Sequence, residues 1–201
     1  LAAMFLIAGH FAELLGTISK DEVAEIVTAL NNVPEQVSQV LENVKSIEKL
    51  AGFLAEHDNC FFIGRGMDYA VAMEGSLKLK EISYMHAEAY AAGELKHGTL
   101  ALIEKDTPVI GLVTQDHVYD KTVSNIEEVI ARGAHTIVVA YEGDEKVTRI
   151  ANNTVYIPNT VPLLSPILAV VPLQLLAYYA AVQRGCDVDK PRNLAKSVTV
   201  E

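Results

Sequence analysis

Three residues of one predicted helix, Glu74, Lys78 and Glu81, stand at i, i+4 and i+7. That spacing sets a carboxylate, an ammonium and a second carboxylate along a single helix face. Carboxylates serve acid–base chemistry when a fold partly buries them, but spacing alone reads this row as solvated, weakly stabilising ion pairs. Of the six histidines, at 10, 57, 86, 97, 117 and 135, His97 lies between Lys96 and Gly98 in a turn-like setting. That setting makes it the histidine to watch.

Other motifs are weighed and set aside. Gly64-Arg65-Gly66 follows a predicted strand and precedes a predicted helix, where free backbone N–H groups attract anions, yet the third glycine of a dinucleotide loop would fall on Tyr69. The two glycines are expected to make a tight strand-to-helix turn. His86-Ala87-Glu88 resembles half of a zinc deaminase signature whose second, cysteine-rich half is missing. No histidines pair at i,i+4, so neither a metal site nor a cofactor is expected.

The elements that must position these groups follow from periodicity. Apolar residues at helical spacing predict helices over 1–18, 21–31 and 34–56, with Pro34 in the first turn of the third. Short apolar runs at 60–63, 108–113, 136–140 and 154–157 predict buried strands, with helices at 69–84, 118–132 and 166–183 between or after them. The segment 86–90 is either a fifth short strand or a loop. Alternation of this kind implies an α/β architecture, a parallel sheet covered by helices on both faces. The stretch 185–201 fits no strong pattern and is expected to be an ordered or semi-ordered extension.

Composition sets outer limits. The chain has 201 residues, half of them hydrophobic, which suits one domain with a full core. Its formal charge of −10, with no basic stripe, makes nucleic acid an unexpected partner. Cys60 and Cys186 form no CxxC pair, so a reducing cytoplasm is expected rather than a disulfide framework. The uncharged segment 150–183 is long enough to span a bilayer, but Pro162, Pro166 and Pro172 interrupt it, and it is read as buried strand, turn and core helix. No membrane is expected. The opening residues, Leu1 to Ala8, lack a signal peptide's basic start and read as helix interior, so the chain is expected to be a piece of a longer protein.

The surrounding text adds a resemblance. Met73-Glu74-Gly75-Ser76-Leu77-Lys78-Leu79-Lys80-Glu81-Ile82-Ser83-Tyr84 and His86-Ala87-Glu88-Ala89-Tyr90-Ala91-Ala92-Gly93-Glu94-Leu95-Lys96-His97-Gly98 closely resemble the sugar isomerase (SIS) domain of the glucosamine-6-phosphate synthase family. The ending from Asp187 through Asn193-Leu194-Ala195-Lys196-Ser197 to Glu201 resembles that family's own C-terminus, which other phosphosugar-binding domains do not share. The resemblance implies a five-stranded parallel α/β/α sandwich with flavodoxin-like winding. It divides the chain into a helical lead-in at 1–57, a second SIS lobe at 58–184 and a tail at 185–201 that folds over a sugar.

The resemblance also implies chemistry: fructose 6-phosphate and glutamine-derived ammonia become glucosamine 6-phosphate through an imine at C2 and a proton shift from C1 to C2. Glu81 matches the family's base for that shift, a role that suits a carboxylate whose pKa partial burial has raised. His97 matches the ring-opening histidine, which enters from a neighbouring subunit, and Lys196 matches the Schiff-base lysine. Ala195 is expected to line the sugar pocket. The implied partners are a homodimer mate, a first SIS lobe and a glutaminase domain. The phosphate is expected on a Ser/Thr-rich loop of the first lobe, because Gly64 to Asp68 offers no hydroxyl group and Asp68 would repel a phosphate unless Arg65 offset it. A non-catalytic phosphosugar-sensing module and a structural dimerisation domain are the alternatives, and a lysine tail over the sugar argues against a sensor.

Overall fold

The computed structural model describes residues 1–193. Five strands form one parallel sheet: β1 (Asn59–Gly64), β2 (His86–Ala91), β3 (Pro108–Val113), β4 (His135–Tyr141) and β5 (Asn153–Ile157), in the order β2-β1-β3-β4-β5. The segment left open between strand and loop is thus a strand, paired with β1 along its whole length from Asn59 opposite His86 to Gly64 opposite Ala91.

Side chains alternate across a strand, and the core divides accordingly. Phe62, Ile110, Leu112, Ile137 and Val139 point into one cluster, shared with α3 (Val44–Ala55), α4 (Met67–Ser83) and α7 (Ser165–Gln183). Phe61, Ile63, Val109, Val138 and Ala140 point into the other, closed by α5 (Tyr119–Ile130) and the turn after β2. Burial on both faces explains why the strands read as continuous apolar runs. Helix α3 is held by Ile47, Ala51 and Leu54, which recur at one-turn spacing and are fully buried; each of the two larger side chains contributes roughly 1.5–3 kcal/mol.

The lead-in departs from the predicted helices at Pro34. The helix α2 (Lys20–Glu42) runs straight through it and ends at Asn43, where α3 begins. Its start is a capping box: Ser19 Oγ accepts from Glu22 N–H, and Glu22 accepts from Ser19 N–H. Proline was read as a first-turn residue, but a strong start fourteen residues upstream (34 − 20) and tertiary packing carry the helix past one missing N–H. Helix α1 (Ala2–Leu14) touches α2 and buries none of its own residues. A short α6 (Glu145–Ile150), begun by the Asp144 carboxylate accepting from Val147 N–H, was not anticipated, since its six residues are too few to show a period.

Helix α7 belongs to a stretch, Pro162–Gln183, long and apolar enough by composition to cross a membrane. Here it packs against α3 and α4, with Leu168, Leu173, Leu176 and Ala180 buried, as a core helix would.

Candidate functional site

Helix α4 carries the carboxylate row and stands next to the tail. It ends at Tyr84, whose left-handed φ of 62° turns the chain into β2, so Glu81 lies in the last turn. Lys78 Nζ approaches Glu81 Oε2 at 2.6 Å and Glu74 Oε1 at 3.9 Å, so the row exists as an unequal pair of contacts. The hydrogen bond to Glu81, with the charges of both carboxylates, raises the Lys78 pKa against a smaller opposing effect of burial. Lys78 is therefore a fixed ammonium at neutral pH. Glu81 is partly buried, its side chain 27% exposed.

The tail is brought to this spot by local contacts. Arg184 donates to the carbonyls of Ala55 and His57, fixing the exit from α7. Asp187 Oδ1 then accepts from the N–H groups of Asp189 and Lys190, both at 3.0 Å, which makes a compact Asx turn. At Arg192 the backbone N–H donates to Tyr84 Oη at 2.9 Å while the guanidinium lies 4.1 Å over the Tyr84 ring. Leu77, Lys80, Glu81, Tyr84, Arg192 and Asn193 consequently surround a cavity of about 450 Å³.

Of the expected site residues, the structure sets Glu81 in that cavity. His97 is not among its lining residues. It ends a 3₁₀ turn, Ala92–His97, whose Ala92 and Leu95 are buried while His97 projects outward, 65% exposed and 3.8 Å from Glu94. That turn is anchored by Arg65, which passes directly over Gly93 to donate to Asn125 Oδ1 from Nε at 3.1 Å and Nη2 at 2.9 Å; a Cβ at position 93 would meet Nη2 at 2.4 Å. Ala195 and Lys196 lie outside the described residues. No group of His, Cys, Asp and Glu able to hold a metal occurs among the described residues.

A second polar group was missed from the sequence. At the carboxyl ends of β1 and β3, Asp68 is 1% exposed and accepts from Thr114 N–H at 2.7 Å and from the Thr114 hydroxyl. Buried Ser165 and Gln115 stand behind Thr114. Arg65 does not pair with Asp68, because it turns to Asn125 instead. The Gly64 turn allows the close approach: a Cβ there would meet the Asp68 carbonyl carbon at 2.6 Å. Thr114 and Ser165 are 46 and 97 residues from Asp68 (114 − 68 and 165 − 68), and only the hydroxyl-rich boundaries of β3 and α7 hinted at them.

Comparison with known proteins agrees with this architecture. The chain is 56% identical to a glutamine–fructose-6-phosphate aminotransferase [isomerizing] of Caldanaerobacter subterraneus, over 100% of this chain and 33% of that protein. It is 55% identical to the protein of the same description in Clostridium perfringens, with the same coverage. It thus spans about a third of the length of these relatives. Among solved structures, the C-terminal domain of glucosamine-fructose-6-phosphate aminotransferase from Francisella tularensis superposes with a TM-score of 0.85 at 36% identity, covering 92% of this chain and 52% of that one. Residues 53–184 match the SIS domain, and the chain belongs to the SIS domain family.

Proposed function

We propose that this chain is the catalytic SIS lobe of a longer glutamine-dependent aminotransferase that makes glucosamine 6-phosphate from fructose 6-phosphate, and that Glu81 is its base. The observation that carries the reading is the cavity in which Glu81 meets the tail at Arg192 and Asn193. From Asn193 to Lys196 is three residues, a reach of at most ~11 Å. The amine of Lys196 and the side of Ala195 can therefore be delivered to the sugar that Glu81 serves. In this scheme the division into lead-in 1–57, lobe 58–184 and tail 185–201 has a purpose: the lobe holds the base and the tail closes over the substrate.

The chemistry then assigns itself. Lys196, as a neutral amine, adds to the open ketose carbonyl and expels its oxygen as water to give a Schiff base; ammonia then adds at C2 and expels the lysine amine, leaving an imine there. Glu81 removes the C1 proton; the electrons of the C–H bond form a C1–C2 double bond, the imine π pair moves to nitrogen, and the nitrogen takes up a proton. Returning a proton to C2 and releasing the O1 hydrogen gives the aldehyde of the amino sugar. The contact with Lys78 fixes the direction of the Glu81 carboxylate, and partial burial keeps it close to the carbon acid.

His97 projects away from its own chain's cavity, which supports a homodimer in which it opens the sugar ring at the partner's site. The first lobe and the glutaminase domain would supply the phosphate seat and the ammonia. Two free cysteines, one fully buried, suit a reducing cytoplasm. The test is Glu81→Gln in the full-length protein. Isomerisation should fall about 10²–10⁴-fold, the usual contribution of a positioned base, while glutamine hydrolysis continues. Equal loss of both activities would remove Glu81 from the base role.

A further inference from the structure

In a doubly wound sheet, ligands enter the crevice where adjacent strands send their connections in opposite directions, outside the carboxyl ends of the strands. In the order β2-β1-β3-β4-β5 that point lies between β1 and β3. Asp68 leaves the end of β1 and Thr114 follows the end of β3, so the buried carboxylate stands in that crevice.

The hydrogen bonds around it run in one direction. Thr114 has one hydroxyl hydrogen, and the carboxylate takes it. Ser165 then donates to Thr114 across 3.0 Å, and Gln115 Nε2 donates to Ser165 across 2.9 Å. Each donor is oriented by the one behind it, a chain that strengthens cooperatively in a dry interior. The Thr114 backbone N–H adds a second donor, and the Gln115 N–H also acts on the carboxylate. Among the described residues Asp68 makes no salt bridge; donors of fixed direction, with no paired cation, surround it. Beside them the Tyr141 hydroxyl is buried without a hydrogen-bond partner. Backbone N–H groups and a hydroxyl aimed at one point of the crevice, with further donors behind them, are the groups that a ligand's oxyanion would need.

We propose that this cradle is an oxyanion seat that the chain fills for itself: the Asp68 carboxylate occupies the position of a ligand's anionic group and excludes the phosphate of a phosphosugar from this lobe's own crevice. A substrate at the Glu81 cavity must then have its phosphate held by groups outside the cradle. The proposal stands apart from the role given to Glu81, because its readouts are folding and anion binding, and isomerisation does not enter them.

The test follows thermal unfolding of the 201-residue chain in formate, formamide and inorganic phosphate. The unsubstituted chain should respond specifically to none of them. Asp68→Ala strands the Thr114 donors, so its midpoint should drop by about 5 °C or more. Formate replaces the lost head group and should raise that midpoint saturably at roughly 0.1 M, a high concentration because the covalent tether is gone. Formamide, of the same shape but uncharged, should not. Asp68→Asn fills the space and should ignore formate. If Asp68→Ala does not fold alone, refolding in formate against formamide reads the same difference. Recovery in formate only supports the seat, and recovery in both or in neither overturns it. Saturable movement of the Thr114 amide resonance by phosphate in the unsubstituted chain would overturn it as well.

Discussion

Helix α4 carries two carboxylates whose situations are opposite. Asp68, in the first turn, is sealed, and its hydrogen bonds come from Thr114, with Ser165 and Gln115 behind it. Glu81, in the last turn, faces an open cavity with one close contact, to Lys78, and otherwise looks toward the tail. A carboxylate whose acceptor capacity is met by buried donors is committed to structure. One held by a single ammonium at the edge of a cavity is more accessible. The same helix thus carries a sealed carboxylate at one end and a cavity-lining one at the other.

The contrast breaks most visibly if the Glu81 cavity proves complete within one chain. A complete cavity gains nothing from a partner, whereas the proposed dimer site needs His97 from elsewhere. Full-length proteins carrying Glu81→Gln and His97→Ala should each be inactive in isomerisation, and dissociating and reassociating the two together should restore activity, because mixed dimers contain one site with both groups intact. Mixtures as inactive as the separate proteins would place both residues in the same chain's site.

A smaller effect is expected at Lys78. Its contact with Glu81 is partly exposed, so Lys78→Met should change the unfolding free energy by less than about 1 kcal/mol. The rate should respond more, because losing the ammonium loosens the aim of the carboxylate. We expect kcat to fall roughly 10- to 100-fold. Lys78→Arg should recover part of the rate. A large loss of stability with unchanged kcat would move Lys78 to the structural side of the comparison.

The two carboxylates also differ in how far the sequence announced them. Glu81 was legible because its neighbours Glu74 and Lys78 sit on the same helix face, where spacing alone sets geometry, and because the surrounding run resembles a known family. The strands were legible for a similar reason, since burial on both faces leaves uninterrupted apolar runs. Asp68 was not legible as a buried group. Its partners come from the ends of β3 and α7, and a hydrogen bond between segments so far apart leaves no periodic trace. Pro34 misled for a related reason: local preference placed a helix start there, while the Ser19–Glu22 box had already begun that helix upstream.

The finest distinction lies in pH. Burial, the largest influence, raises the Asp68 pKa above its ordinary 3.8, and the hydrogen bonds from Thr114 and Gln115, with the charge of His117, pull it partly back. The folded chain therefore holds this proton more firmly than the unfolded chain does. Unfolding free energy must fall as pH rises from about the ordinary value through the raised one, then level off, by about 1.4 kcal/mol for each unit of displacement. Asp68→Asn cannot titrate and should lack this component. Subtracting its denaturant-derived stability from that of the unsubstituted chain should leave a curve that declines above pH ~4 and flattens once the pH exceeds the raised pKa. A curve that climbs would mean that the donors outweigh desolvation, so that the cradle favours the anion more strongly than water does.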